Sequence, residues 1–274
     1  MSYSSFAMEY SLKVEGHQKT YNIHIEHEKA EGNQKLAIIA HGYMNHCRYL
    51  DVLKENLKSL NYDVLCYDLP GHGKSSGKKF DIDHFKTYAL VTRSVIAKAQ
   101  ESGYQKIDFI AHSTGTVGVT ELLLEQENLG LSRIVYIAPL IRSYLYKLSY
   151  WSWRLGGRLL PRLPVRPLGE VHPEYLEIVN SDPFYPRSVP NHFAGELFSW
   201  NDYLESLNRV SERKIHILFG TRDTVINTQF NRYFFETYFP AAEIQTLEGS
   251  NHLFFHHNQN IREKFFTRLE AILN

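Results

Sequence analysis

Three short stretches of this 274-residue chain hold residue types that can perform acyl chemistry together. The first is IDFIAHSTG, where an apolar run leads into Ala111-His112-Ser113-Thr114-Gly115 and a helical pattern follows. Small residues two before and two after a serine suit a sharp strand-to-helix turn, because that turn crowds both positions. The turn lifts the hydroxyl clear of the sheet and sets it at a helix N-terminus. There the macrodipole and free N–H groups favour developing negative charge. Ser113 is therefore the candidate nucleophile. A serine needs a base, and the base needs an orienting carboxylate. Asp223 ends the run IHILFGTRD, and His252 lies in EGSNHLFF further on. The order serine, acid, histidine makes His252 the general base and acid, with Asp223 orienting and charge-stabilising it.

The oxyanion created by such an attack needs two N–H donors. The run LAIIAHGYMNH ends at His41-Gly42, with Tyr43 next. Gly42 permits a sharp turn, and the backbone N–H groups of Tyr43 and Thr114 are the expected pair. Neighbouring titratable residues have plainer roles. His41 is expected to brace its loop, His72 to make a structural hydrogen bond, and Asp68 to shape the turn after it. Glu248 sits at a strand exit and competes only weakly for the role of acid. His256 and His257 are expected to be solvated at the start of the last helix. GHGKSSG lacks phosphate-loop spacing. His41 and His46 lack a carboxylate partner at metal-ligand spacing, so no metal is expected.

Residues at these places need a scaffold that ends several strands along one edge. Segments 8–15 and 21–28 alternate apolar and polar residues and read as an antiparallel pair. The runs Leu36–Ala40, Val64–Tyr67, Ile107–Ala111, Ile134–Ala138 and Ile215–Phe219 are apolar on both faces, with Ile244–Leu247 a weaker last member. Such runs suit parallel strands covered on both sides. Helical patterns fall between them, at Arg48–Leu60, Phe85–Gln100, Thr116–Leu129, Phe230–Phe239 and Ile261–Leu273. The alternation predicts an α/β sheet with right-handed crossovers and chemistry at the strands' carboxyl ends. Between about Leu140 and Leu207 no strand run appears, and the stretch is too long for a loop. It reads as a mostly helical cap, giving a core of 1–139 and 208–274 and a cap of 140–207.

Composition narrows the class. Lys plus Arg and Asp plus Glu both total 30, and 14% of residues are aromatic. That excludes a disordered chain and argues against nucleic-acid attraction by the whole molecule. There is no reader motif for nucleic acid either. No apolar run of about 18 residues predicts a membrane span, and no secretory signal is evident at the N-terminus. Cys47 and Cys66 read as free thiols in a reducing cytoplasm.

Taken together, His41-Gly42, Asp68-Leu69-Pro70-Gly71-His72-Gly73-Lys74-Ser75, Ala111–Gly115, Gly220–Asp223 and Asn251-His252 resemble the α/β-hydrolase superfamily. The likeness is greatest to its monoacylglycerol lipase and lysophospholipase-like branch, which also includes serine aminopeptidases. The matching motifs span about 36–255. The resemblance implies an eight-stranded, mostly parallel sheet, a Ser–Asp–His triad, an acyl-pocket cap after the sixth strand, and no cofactor. Ala111 stands where many relatives have Gly, and Thr114 where monoacylglycerol lipases commonly have Met.

The stretch Leu140–Leu168 carries Arg142, Lys147, Arg154, Arg158, Arg162 and Arg166 with no acid, beside Tyr144, Tyr146, Tyr150, Trp151 and Trp153. It reads as the solvated face of an amphipathic helix, or as a basic, aromatic surface in transient contact with a membrane. Pro161, Pro164 and Pro167 would end any helix there. Apolar residues over the cleft suit a small-molecule or lipid ester with an apolar acyl part. Amide or peptide hydrolysis of the aminopeptidase type, C–C bond hydrolysis, and a non-catalytic binding protein are the rival readings.

Overall fold

The computed structural model describes residues 5–30, 32–165 and 172–274. Arg166 and Pro167 lie outside the described residues, and only the backbone of Arg158 is described. The chain opens with β1 (Ser5–Glu15) and β2 (Thr20–Ala30), paired antiparallel from Ser5 opposite Ala30 to Glu15 opposite Thr20. It continues through β3 (Lys35–Ala40), α1 (Asp51–Ser59), β4 (Asp63–Tyr67), α2 (Lys86–Gln100) and β5 (Lys106–His112). Then come α3 (Val117–Leu124) and β6 (Ile134–Ile137).

An inserted segment follows, with α4 (Tyr146–Arg154), β7 (Arg162–Pro164), α5 (Pro173–Ser181), β8 (Ser188–Pro190) and α6 (His192–Leu207). The chain returns to the sheet with β9 (His216–Gly220), α7 (Thr228–Tyr238), β10 (Glu243–Leu247) and α8 (Gln259–Leu273). The eight long-range strands line up as β1-β2-β4-β3-β5-β6-β9-β10. Only the β1–β2 and β2–β4 pairings are antiparallel; from β4 to β10 every pairing is parallel. This is the mostly parallel α/β sheet that the alternation predicts.

Burial explains why those runs look apolar on both faces. Leu36 through Ala40 are no more than 1% exposed, as are Val64 through Tyr67. A strand covered by helices on both sides has no solvated face to mark. The helices show the complementary pattern: α1 buries Leu53 and Leu57 one turn apart, and α8 buries Ile261, Phe265, Leu269 and Ile272.

The structure corrects four expectations. The stretch 140–207 is not free of strands, since β7 and β8 form a small antiparallel ribbon. Three-residue strands are too short to show a period, so the sequence holds no signal for them. The helix expected over Thr116–Leu129 ends at Leu124, and Gln126 turns to φ 67°. Cys47 and Cys66 are not free thiols but form a buried disulfide with Cα atoms 5.8 Å apart. That pairing removes the free-thiol basis for a reducing-compartment expectation. Finally, His256 and His257 are buried, not solvated, at 2% and 6% exposure. They belong to the turn before α8, where the His256 ring donates from Nε2 to the Tyr49 carbonyl oxygen at 2.7 Å.

Candidate active site

The carboxyl ends of β3, β5 and β9 bring together the residues singled out above. At the end of β5, Ser113 takes φ 52°, the left-handed conformation that a side chain adopts only when its surroundings impose it. A single 3-10 turn, Ser113–Thr116, leads straight into α3. Gly115 shows why the position two after the serine must be small. A Cβ there would lie 2.6 Å from the Ala40 carbonyl oxygen and 2.8 Å from that of His41. Ser113 is 5% exposed and Thr114 1%.

Beyond β9, the Asp223 side chain meets His252 from the loop after β10. The His252 Nδ1–H donates to Asp223 Oδ2 at 2.7 Å, and both residues are buried. The other carboxylate oxygen accepts the N–H groups of Val225 at 2.8 Å and Ile226 at 3.1 Å. Burial pushes the Asp223 carboxyl up, but the His252 ring and those two N–H donors outweigh it and hold the group below its ordinary range. Glu248, the weaker competitor, is exposed and accepts from the Thr221 hydroxyl instead.

The turn after β3 packs on the serine. A Cβ on Gly42 would lie 3.1 Å from Ser113 Cβ and 2.9 Å from His112 Nδ1, so only glycine fits. Tyr43 is next in the chain. Its hydroxyl donates to the Phe80 carbonyl oxygen at 2.6 Å, and its ring stacks on Phe193 at 4.0 Å between centroids. Phe193 belongs to α6, so the inserted segment braces this turn.

His41 holds the same loop from beneath. Its Nε2 accepts the Leu69 N–H at 2.9 Å, which leaves Nδ1–H to donate to the Gly42 carbonyl at 2.8 Å. Burial keeps that ring neutral, down at about 3. Asp68 accepts the N–H groups of Cys47 and Lys74, both at 2.9 Å, and so shapes the turn as expected. His72 makes its structural bond, donating from Nδ1 to the Pro70 carbonyl at 2.9 Å.

Two residues escaped sequence reasoning. His112, inside the serine motif itself, donates from Nε2 to the His252 carbonyl oxygen at 2.9 Å, with the two rings 4.8 Å apart. It ties the end of β5 to the histidine loop, and burial lowers its pKa to about 3. Its place in the motif was the available signal. Phe193 had none, because its contact with Tyr43 spans 150 positions of sequence.

Glu9, His24 and Glu26 on the β1–β2 hairpin bring ligand-type atoms within 4.8 Å of one another. Their carboxylates are already engaged, with Lys74 on Glu9 and Lys54 on Glu26, each at 2.6 Å.

Comparison with known proteins places the chain among ester-hydrolase relatives by sequence and fold. The chain is 24% identical over 249 residues to the monoglyceride lipase homolog of Monkeypox virus, covering 86% of this chain and 88% of that one. It is 28% identical over 170 residues to the monoglyceride lipase of Mus musculus, covering 58% of this chain and 55% of that one. Among solved structures, the monoacylglycerol lipase of Paleococcus ferrophilus superposes with a TM-score of 0.72 at 18% identity, covering 97% and 98% of the two chains. A soluble variant of the Saccharomyces cerevisiae monoglyceride lipase, in complex with a substrate analog, gives 0.74 at 14% identity, covering 97% and 96%. These likenesses show a shared α/β-hydrolase fold. The family profile described as serine aminopeptidase, S33, matches residues 32–259, and with the matched span running from the strand before Gly42 to the helix after His252, the chain belongs to that family.

Proposed function

We propose that this protein is a serine hydrolase of carboxylic esters with an apolar acyl part, of the monoacylglycerol or lysophospholipid type, acting through an acyl-enzyme. The observation that carries the reading is the buried 2.7 Å bond from His252 to Asp223 beside a serine held at φ 52°. In this mechanism Ser113 Oγ gives its proton to His252 Nε2 and bonds to the ester carbonyl carbon. The resulting oxyanion takes hydrogen bonds from the backbone N–H groups of Tyr43 and Thr114. Collapse breaks the C–O bond, and the alcohol leaves with the proton from His252. Water, deprotonated by the same ring, then releases the acid and restores Ser113. Asp223 holds His252 in the tautomer that leaves Nε2 free to accept.

In this reading 140–207 is a cap on the cleft, and it meets lipid surfaces. Leu148, Trp151, Leu155 and Leu159 are 66%, 58%, 83% and 81% exposed, an unusual cost for a folded protein that binds nothing there. Arg154 and Arg162 flank them, which suits an anionic bilayer. The named relatives support the ester class, since one is called a monoglyceride lipase and the other a monoglyceride lipase homolog.

The test is an ester panel of short and long p-nitrophenyl esters, monoacylglycerol and lysophosphatidylcholine, with an aminoacyl nitroanilide alongside. Turnover of the long esters that disappears in Ser113→Ala is the expected result. Cleavage of the nitroanilide alone, or turnover that survives the substitution, overturns the proposal. Co-sedimentation with anionic but not zwitterionic vesicles checks the surface contact.

A further inference from the structure

The structure contains a concavity that borders Asp223 but lies outside the serine and histidine of the proposed reaction. It is an open groove of about 1030 Å³ between the start of α4, the first turns of α7 and the ends of β9 and β10. Neither Ser113 nor His252 lines it. Three cations do: Arg142, Lys147 and Arg232. Among the described residues Asp223 is the one acid in the lining, and its two oxygens are taken by His252, Val225 and Ile226. Among the described residues the lining thus sets three cations against one carboxylate that is already engaged.

The cations are not equally committed. Arg142 is bound to Glu205 at 2.6 Å and lies over the Phe230 ring at 3.6 Å. Arg232 reaches the Thr246 hydroxyl at 2.5 Å and only weakly approaches Glu236, at 3.6 Å. Lys147 makes no ion pair among the described residues, and it is exposed. Around these charges lie large apolar side chains that folding leaves in water: Leu145 at 57% exposed, Leu148 at 66% and Tyr233 at 61%. Leu145 also carries φ 57°, a left-handed conformation that disfavours a bulky side chain. An exposed leucine held there gains no burial in return, and strained positions of this kind cluster at ligand clamps.

We propose that this groove binds a single-chain amphiphile with an anionic head, the head on Lys147 and Arg232 and the chain along Leu145, Leu148 and Tyr233. Positive charge beside exposed apolar surface complements that ligand class, while a neutral lipid would leave the cations unused and a small polar anion the apolar side chains. A long-chain carboxylate and an alkyl phosphate share this chemistry. The inference rests on the groove alone and stands apart from the ester reaction.

Calorimetric titration below the critical micelle concentration tests it, with laurate, dodecyl phosphate and dodecanol as ligands. The whole chain is compared with Lys147→Glu and, separately, Arg232→Gln. Any binding in the serine cleft is common to all three proteins, so the difference between them reports the groove. Each substitution is expected to weaken at least one anion tenfold or more and to leave dodecanol unchanged. A response to laurate or to dodecyl phosphate alone identifies the head group. Lys147→Glu changes an exposed side chain that makes no ion pair among the described residues, so it keeps the test open if Arg232→Gln misfolds. Unchanged affinity for both anions in Lys147→Glu overturns the proposal. An equal loss for dodecanol does so too, because the surface is then merely apolar.

Discussion

Two helices of the inserted segment make opposite use of apolar residues. Helix α6 buries Phe193, Leu197, Phe198, Trp200 and Leu204, stacks Phe193 on Tyr43, and sends Trp200 to Glu121 on α3. Helix α4 buries only Tyr146 and leaves Leu148 and Trp151 in water. Both are amphipathic by sequence. The difference is one of layer: α6 packs on the serine's own helix, whereas α4 lies on α6, with Tyr146, Tyr150 and Trp153 around Phe198, and turns its other face to solvent. Folding accounts for every apolar residue named on α6 but not for Leu148 and Trp151 on α4. Exposure on α4 therefore points outward, to a ligand or surface, while α6 belongs mechanically to the serine turn.

If α6 and the sheet edge form the machine and α4 its outward face, substitutions should separate them. The largest effect is expected at the site itself. His252→Ala should lower kcat by about 10⁶ with long p-nitrophenyl esters, and Asp223→Asn by about 10⁴, with the fold retained. Residual turnover above these levels in a folded variant would break the assignment.

Next comes the Cys47–Cys66 bridge, which closes a loop of sequence separation 19. Reduction should cost about 3 kcal/mol of stability by chain entropy, measured by denaturant unfolding with and without reductant. An equal cost appears at Glu121, which ties the two regions. Burial raises its carboxyl to about 7, and the Trp200 N–H only partly opposes this. A folded-state pKa above the unfolded one means the cost is absent below about pH 4.5, grows as pH rises, and is complete above about 7. Its full size is about 3 kcal/mol. Glu121→Gln should therefore raise the melting temperature at pH 8 and leave it unchanged at pH 4.5. A gain at both pH values would sink the explanation. Least of all should Leu155→Ser matter to folding. It should move stability by no more than about 0.5 kcal/mol, yet weaken vesicle co-sedimentation.

Much of the scaffold was legible because its signals are local. The strands β3 to β6 announce themselves as two-faced apolar runs, and the serine turn carries its small residues within five positions. Asp223 and His252 were legible through order along the chain, since each follows a strand. What escaped was set by distant partners. The disulfide joins residues from a loop and a strand core, and nothing in the spacing of two cysteines reveals it. His256 looked solvated because its acceptor, the Tyr49 carbonyl, lies 207 positions away. The β7–β8 ribbon is held by register across the insertion, from Arg162 opposite Pro190 to Pro164 opposite Ser188, not by any pattern within either strand.

The placement of the three tryptophans turns the contrast between α4 and α6 into an optical one. Trp200 is 2% exposed with its indole N–H on a carboxylate, whereas Trp151 is 58% exposed. Trp153 lies between them, its ring against Phe198 and the Cα of Gly195. Intrinsic emission from this chain is thus a sum of a shielded and an accessible signal. A collisional quencher should extinguish the α4 part and spare Trp200. The protein carries a built-in, label-free readout that tells events on its outer helix from events beside its serine turn.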